Sequence, residues 1–244
     1  MGLIRVPLVH PIIFRHLDRD TYSGDLNRVP CKISNSQRCK KVKIGLIVGS
    51  HRKYSQSGKI AAFCSDVLRD RLYVSPWTLD LGQNPLPMWD EDLAEGASHW
   101  AGFGHLAEQL SGSDAFVIVS PEWHGMVTPA LKNFFLLWSG TDELAHKPAL
   151  ACAVSSGDGG AYVINELRTS SYKNSRLCWL PEHLIARQVR KICNDDVADN
   201  DRERHQRFTE RCQHSLHLLT AYARALQSVR NEGFVEDTKF PNGM

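Results

Sequence analysis

Short apolar runs alternate with helix-periodic stretches along most of this chain, and three of the runs pass directly into a polar or glycine-rich loop. The runs are residues 42–48, 115–119 and 149–154; the loops are residues 49–57, 120–125 and 155–160. A mostly apolar run of that length, β-branched in residues 42–48, reads as a buried strand. Strands alternating with helices imply right-handed crossovers, and so a parallel sheet with helices on both faces. In an open parallel sheet, loops at the carboxyl ends of strands converge on a crevice where the strand order reverses. The pattern therefore predicts one cleft built from three distant segments.

The other elements follow from periodicity. Ile60, Phe63, Cys64, Val67 and Leu68 fall at helical spacing. Residues 72–81 read as a second strand, and residues 84–87 as a proline-rich turn. Trp100, Phe103, Leu106 and Leu110 mark a helix face, and residues 130–138 form another helix behind Pro129, a favoured starting residue. Residues 161–168 read as helix, and residues 184–189 as the last strand. Phe208, Cys212, Leu216, Leu219, Ala223 and Leu226 line a long helix capped near Asp199 or Asp201. This divides the chain into an extension (1–41), one domain (42–230) and a loose tail (231–244).

A chain of 244 residues fits one domain, large enough to be stable without disulfides. Its seven cysteines include no Cys-x-x-Cys pair, which suits a reducing, cytoplasmic setting with Cys64 and Cys152 buried as small hydrophobes. No apolar run approaches the ~20 residues of a membrane-spanning helix. Residues 1–41 hold eight Lys/Arg against three Asp, so the body is mildly acidic and poorly suited to nucleic acid. Two prolines interrupt the apolar stretch at residues 6–14, against a signal-peptide core. Asp18, Asp20 and Asp25 count against a transit peptide. The segment reads as a tail, or as an arm packing on a neighbouring subunit.

The loops differ in chemistry. The first offers the hydroxyls of Ser50, Ser55 and Ser57 and the guanidinium of Arg52, has no acid before Asp66, and runs into a helix whose free N–H groups favour anions. It suits a phosphate. It is not a P-loop, since Lys53 stands where a glycine is needed and no Ser or Thr follows Lys59. The second loop, Pro121, Glu122, Trp123, His124 and Gly125, offers an aromatic surface and turn N–H groups to a flat ring. The third, Ser155, Ser156, Gly157, Asp158, Gly159 and Gly160, lets a ring approach main chain. Each also reads as an ordinary turn or, for Trp123, as a core aromatic. A phosphate site, a ring site and a close-approach loop together point to flavin mononucleotide (FMN).

Over residues 42–189 the chain resembles the NADPH-dependent FMN reductases of flavodoxin-like fold, with their quinone, azo-dye and chromate reductase relatives. The family pattern Gly-Ser-x-Arg-x-x-Ser-x-Asn is matched by Gly49, Ser50, Arg52 and Ser55, with Ser57 where Asn is usual. A Pro-Glu-Tyr-His-Gly motif followed by Leu-Lys-Asn is matched by Pro121, Glu122, His124, Gly125, Leu131, Lys132 and Asn133, with Trp123 in place of Tyr. Lys147-Pro148-Ala149, residues 155–160 and Leu167-Arg168 fit a third motif. The resemblance implies an α/β fold: a doubly wound five-stranded parallel sheet of order 2-1-3-4-5. It also implies a hydride passed from NADPH or NADH through FMN to a flavin, quinone or similar small acceptor, in a homodimer or homotetramer. No catalytic side chain is required, because the cofactor carries the chemistry. It further places residues 86–90 beside the substrate entrance. The rival reading is a flavodoxin-type electron carrier, against which Arg52 and the near-neutral body argue. A metal site at His214 and His217 lacks an evident acidic or thiol partner.

Overall fold

The computed structural model describes residues 41–93 and 102–232. Five strands form one parallel sheet: β1 (Lys43–Val48), β2 (Ser75–Asp80), β3 (Ala115–Pro121), β4 (Pro148–Val154) and β5 (Cys178–Ala186), in the order β2-β1-β3-β4-β5. The helices are α1 (Gln56–Asp70), α2 (Phe103–Ser111), α3 (Pro129–Leu137), α4 (Ala161–Thr169) and α5 (Arg202–Asn231). This is the flavodoxin-like architecture expected, and the order reverses between β1 and β3.

The alternation along each strand divides the core in two. Ile44, Leu46 and Val48 of β1, Val117 and Val119 of β3 and Cys152 of β4 pack against Ile60 and Leu68 of α1 and Phe208, Leu216 and Leu219 of α5. Ile47, Phe116, Ile118 and Ala151 point the other way, into Leu110 of α2, Leu131 and Phe134 of α3, and Val163 and Leu167 of α4. β3 and β4 are buried at every position, so both faces of the central sheet are covered. The Asp201 side chain caps α5 by accepting the Arg204 N–H at 3.0 Å.

Two strands differ from the expected bounds by more than two residues at one end or both. β2 begins at Ser75, because residues 71–74 form the turn out of α1. β5 begins at Cys178 and ends at Ala186, several residues upstream of the expected 184–189. Its pairing with β4 jumps from Ala149–Trp179 to Ala151–His183, leaving Leu180, Pro181 and Glu182 in a bulge. Proline tolerates such a place because no ladder N–H is demanded there. Arg168 Nη2 donates to the carbonyls of Leu180 (2.9 Å), Pro181 and Glu182 (3.3 Å). Residues 187–189 leave the strand as a turn, with Gln188 at φ +48°.

Residues 1–40 of the expected extension (1–41), Trp100 and residues 233–244 of the expected tail lie outside the described residues. Among the described residues no helix is long and apolar enough to cross a membrane.

Candidate functional site

The three loops meet at the carboxyl edge of the sheet. The first leaves β1, whose course is fixed by Gly49 N–H to Val119 O (2.7 Å) and by Thr128 Oγ1 to Gly49 O (2.5 Å). Ser50 is buried and its Oγ accepts the Arg52 N–H at 3.3 Å. Ser55 caps α1 by accepting the Gly58 N–H at 2.9 Å, which leaves its hydroxyl proton to donate. Ser57, in the first turn of α1, is 1% exposed, and its Oγ has no partner among the described residues. An orphaned buried hydroxyl costs roughly 1–3 kcal/mol. Here it sits among the free N–H groups of a helix start, a donor set that fits a phosphate.

The second loop is a tight hairpin. Trp123 and Met126 exchange both backbone hydrogen bonds (3.3 and 2.9 Å), with φ +50° at His124 and +73° at Gly125. Two positive φ values define a type I′ turn, and the second falls on glycine. The amides of Glu122, Trp123, Met126 and Val127 are engaged by Val154 O, Met126 O, Trp123 O and the Glu166 carboxylate. Those of His124 and Gly125 remain at the tip. Trp123 is half-buried, His124 exposed.

Trp123 joins the first two loops. The Arg52 guanidinium lies 4.9 Å from the centre of the indole. The His51 ring meets the indole edge-on, with centroids 4.5 Å apart. Glu122 joins the second loop to the third. Its Oε2 accepts the Gly160 N–H at 2.6 Å, and a Cβ on Gly159 would fall 2.4 Å from its Oε1. The third loop is also held from below: Val189 N–H to Ser155 O (3.1 Å), Gln188 N–H to Gly157 O (2.8 Å) and Arg187 Nε to Gly159 O (3.1 Å). Ser155 Oγ accepts the Gly157 N–H at 3.2 Å, and Ser156 is exposed. Gly160 caps α4 at φ +107°, a conformation that glycine adopts freely. The fourteen expected site residues thus lie on three segments linked by direct contacts, with Ser57 in the first turn of α1 and Pro121 at the end of β3.

Other residues border these loops, and Asp80, Gly82 and Glu166 were not among the expected site residues. Asp80 ends β2 beside β1, so strand pairing brings its carboxylate to the first turn of α1: Oδ2 would lie 3.3 Å from a Cβ on Gly58, while Oδ1 accepts the Gly82 N–H at 2.8 Å. Its position at a strand end next to β1 is the signal that could have found it. Gly82 packs so closely that a Cβ there would fall 2.3 Å from the Arg52 carbonyl oxygen. Lys59 Nζ crosses to Val189 O, Ile192 O and Asn194 Oδ1 (2.8, 2.8 and 2.6 Å), and burial lowers its pKa. Lys132 pairs with Glu166 at 2.6 Å. Partial burial raises the Glu166 carboxyl, but Lys132 and the Val127 N–H outweigh it and hold the group below its usual range.

Known proteins are similar to this chain in sequence and in fold. Residues 42–189 match the family of NADPH-dependent FMN reductases. An NADPH azoreductase of Bacillus sp. (strain OY1-2) is 28% identical over 130 residues, covering 53% of this chain and 68% of that protein. A quinone reductase of Escherichia coli (strain K12) is 31% identical over 135 residues, covering 52% and 68%. In fold, the chain is similar to an oxidoreductase of Corynebacterium diphtheriae (TM-score 0.60, 16% identity, 76% of this chain and 98% of that one). It is also similar to FerB, a flavoenzyme NAD(P)H:(acceptor) oxidoreductase of Paracoccus denitrificans (TM-score 0.57, 18% identity, 77% and 98%). A sheet of order 2-1-3-4-5, an anion-suited first loop and a match running from β1 past the third loop agree: the chain belongs to the NADPH-dependent FMN reductase family and is a flavin-dependent NAD(P)H oxidoreductase.

Proposed function

We propose that this protein passes electrons from NAD(P)H through FMN to a small diffusible acceptor, a flavin, quinone or similar molecule. FMN, when bound, supplies the two-electron store between nicotinamide and acceptor. The chain supplies place and field. Ser50, Arg52, Ser55 and Ser57, with the first turn of α1, take the phosphate; the orphaned Ser57 Oγ supports this assignment. Trp123, His124 and Gly125 of the hairpin and Ser155, Ser156, Gly157, Gly159 and Gly160 of the third loop would hold the ring. Pro121 and Glu122 set the angle between these loops, since the Glu122 carboxylate holds Gly160. The relatives named for azo and quinone reduction support the acceptor class.

The observation that carries the reading is the contact between Arg52 and Trp123, which sets the anion site and the ring site one side chain apart. Arg52 is exposed, so the cation–π contact stabilises that geometry by about 0.5–1 kcal/mol. We further propose that residues 42–230 form the reductase domain and that residues 1–41 are an extension outside it. We assign the protein to a homodimer or homotetramer in a reducing, cytoplasmic compartment; the five free thiols among the described residues favour that setting.

A visible spectrum of the purified protein, followed by NADPH oxidation with riboflavin, a naphthoquinone or no acceptor, tests the function. The expected result is a yellow protein that consumes NADPH catalytically with either acceptor. A colourless protein that does not take up added FMN, or a yellow one that does not turn over NADPH, would overturn it.

A further inference from the structure

One ammonium ties the start of α1 to the segment that follows β5. Lys59, half-buried in the first turn of α1, donates from Nζ to Val189 O, Ile192 O and Asn194 Oδ1 (2.8, 2.8 and 2.6 Å), 130 to 135 residues downstream. An ammonium carries three protons, and here three acceptors receive it. Two are main-chain carbonyls and one is a carboxamide oxygen, so the group fixes backbone rather than neutralising a carboxylate. Val189 and Ile192 are 1% and 2% exposed, and carbonyls released there would lose a charged donor with little water to replace it. Asn194 is itself held, its N–H by Asn200 Oδ1 (2.9 Å) and its Nδ2 by Arg190 O and Asp199 O (2.9 and 3.0 Å).

Val189 faces both ways. Its carbonyl takes Lys59, and its N–H donates to Ser155 O at 3.1 Å; next to it the Gln188 N–H donates to Gly157 O at 2.8 Å. At the other end, the Lys59 N–H donates to Ser55 O at 3.2 Å, in the turn that carries Ser55 and Ser57. A single side chain therefore joins the anion-suited turn to the main chain beneath the third loop. We infer that Lys59 is a positioning residue for the flavin: it clasps residues 189–194 to the first turn of α1 and so sets the spacing between the phosphate turn and the loop at Ser155–Gly157. This rests on the FMN reading above. FMN carries its phosphate and its ring on one short chain, and a fixed spacing lets both ends bind together at little ordering cost. Riboflavin, which lacks the phosphate, gains nothing from that spacing.

The test measures the Kd of FMN and of riboflavin by flavin fluorescence, with the thermal midpoint, for Lys59→Met, Lys59→Arg and Lys59→Gln. Lys59→Met keeps the apolar stem and removes every donor. It should weaken FMN about tenfold and riboflavin less than threefold, so that the preference for FMN over riboflavin falls. Lys59→Arg, which keeps the cation and its donors, should recover most of that preference, and Lys59→Gln, with a neutral donor, should fall between. A purely structural loss would lower the thermal midpoint and leave the preference where it was. A preference unmoved by Lys59→Met, equal weakening of both flavins, or no recovery with Lys59→Arg would overturn the inference. If Lys59→Met does not fold, Lys59→Gln and Lys59→Arg decide it by the same ratio.

Hydrogen exchange of the flavin-free protein separates this inference from the functional reading. The amides of Gln188 and Val189 should exchange several-fold faster in Lys59→Met than in the unaltered chain, while those of α3 keep their rate. Equal exchange at residues 188 and 189 would sink the clasp even if the protein is a reductase. Faster exchange in a protein that takes up no FMN would leave the clasp as structure alone and overturn its flavin role together with the reading beneath it.

Discussion

Arg52 and Trp123 show what single residues reveal and hide. Each was legible as chemistry: a cation in an acid-free loop, and an aromatic after a buried strand. Their contact was not, because 71 residues separate them and only the β1–β3 pairing closes the gap. Glu122 is the stronger case. In sequence it belongs to the ring-side loop; in the fold its carboxylate is spent on Gly160, 38 residues downstream. Asp80 was missed for the same reason, since its neighbour Gly58 is a neighbour only through the sheet. A guanidinium–phosphate contact contributes roughly 1.5–3 kcal/mol. Arg52→Ala should therefore weaken FMN retention on the order of tenfold to a hundredfold, read by equilibrium dialysis against free FMN. Retention equal to the starting protein would remove Arg52 from the phosphate site.

At the scale of elements, the strands buried on both faces were the easiest to read, because β3 and β4 have no polar face to confuse the pattern. β5 was misplaced for a physical reason. Trp-Leu-Pro-Glu-His breaks the apolar run at Pro181, and only the bulge, held by Arg168, lets the chain resume pairing at His183. No local signal shows that a guanidinium from α4 will satisfy those carbonyls. The start of α4 was better marked, because Gly160 is the residue that its φ of +107° demands. A Cβ there would also stand 2.4 Å from Ile185 Cγ2, so Gly160→Ala combines backbone strain with a clash against β5. A loss of about 2 kcal/mol or more is expected in a denaturant titration, with weaker FMN retention because the Glu122 contact shifts. A change under about 0.5 kcal/mol would show that the loop relaxes freely.

For the whole molecule, the parallel sheet and its two covers were legible from alternation alone, and the strand order from the family resemblance. What lies at the opposite edge from the cleft was not. There Lys147 is buried, its Nζ donating to the carbonyls of Leu110, Ser111 and Glu143 at 2.8, 2.9 and 2.7 Å, the first two at the end of α2. Burial, with Arg230 adding to it, pushes its pKa down to about 7, against the pull of Asp114 and Glu143. The unfolded chain therefore binds more protons between pH 7 and about 10.5, and this group's contribution to stability rises with pH across that window. The stability of the starting protein relative to Lys147→Met should climb by up to about 1.4 kcal/mol per pH unit there. A flat difference would mean that the ammonium persists. At the flank of the sheet, β5 ends the ladder with a proline, a bulge and a guanidinium lodged on its carbonyls. An outermost strand so interrupted gives a foreign chain no straight row on which to add itself. At high concentration the folded protein should accordingly resist fibril growth from that side.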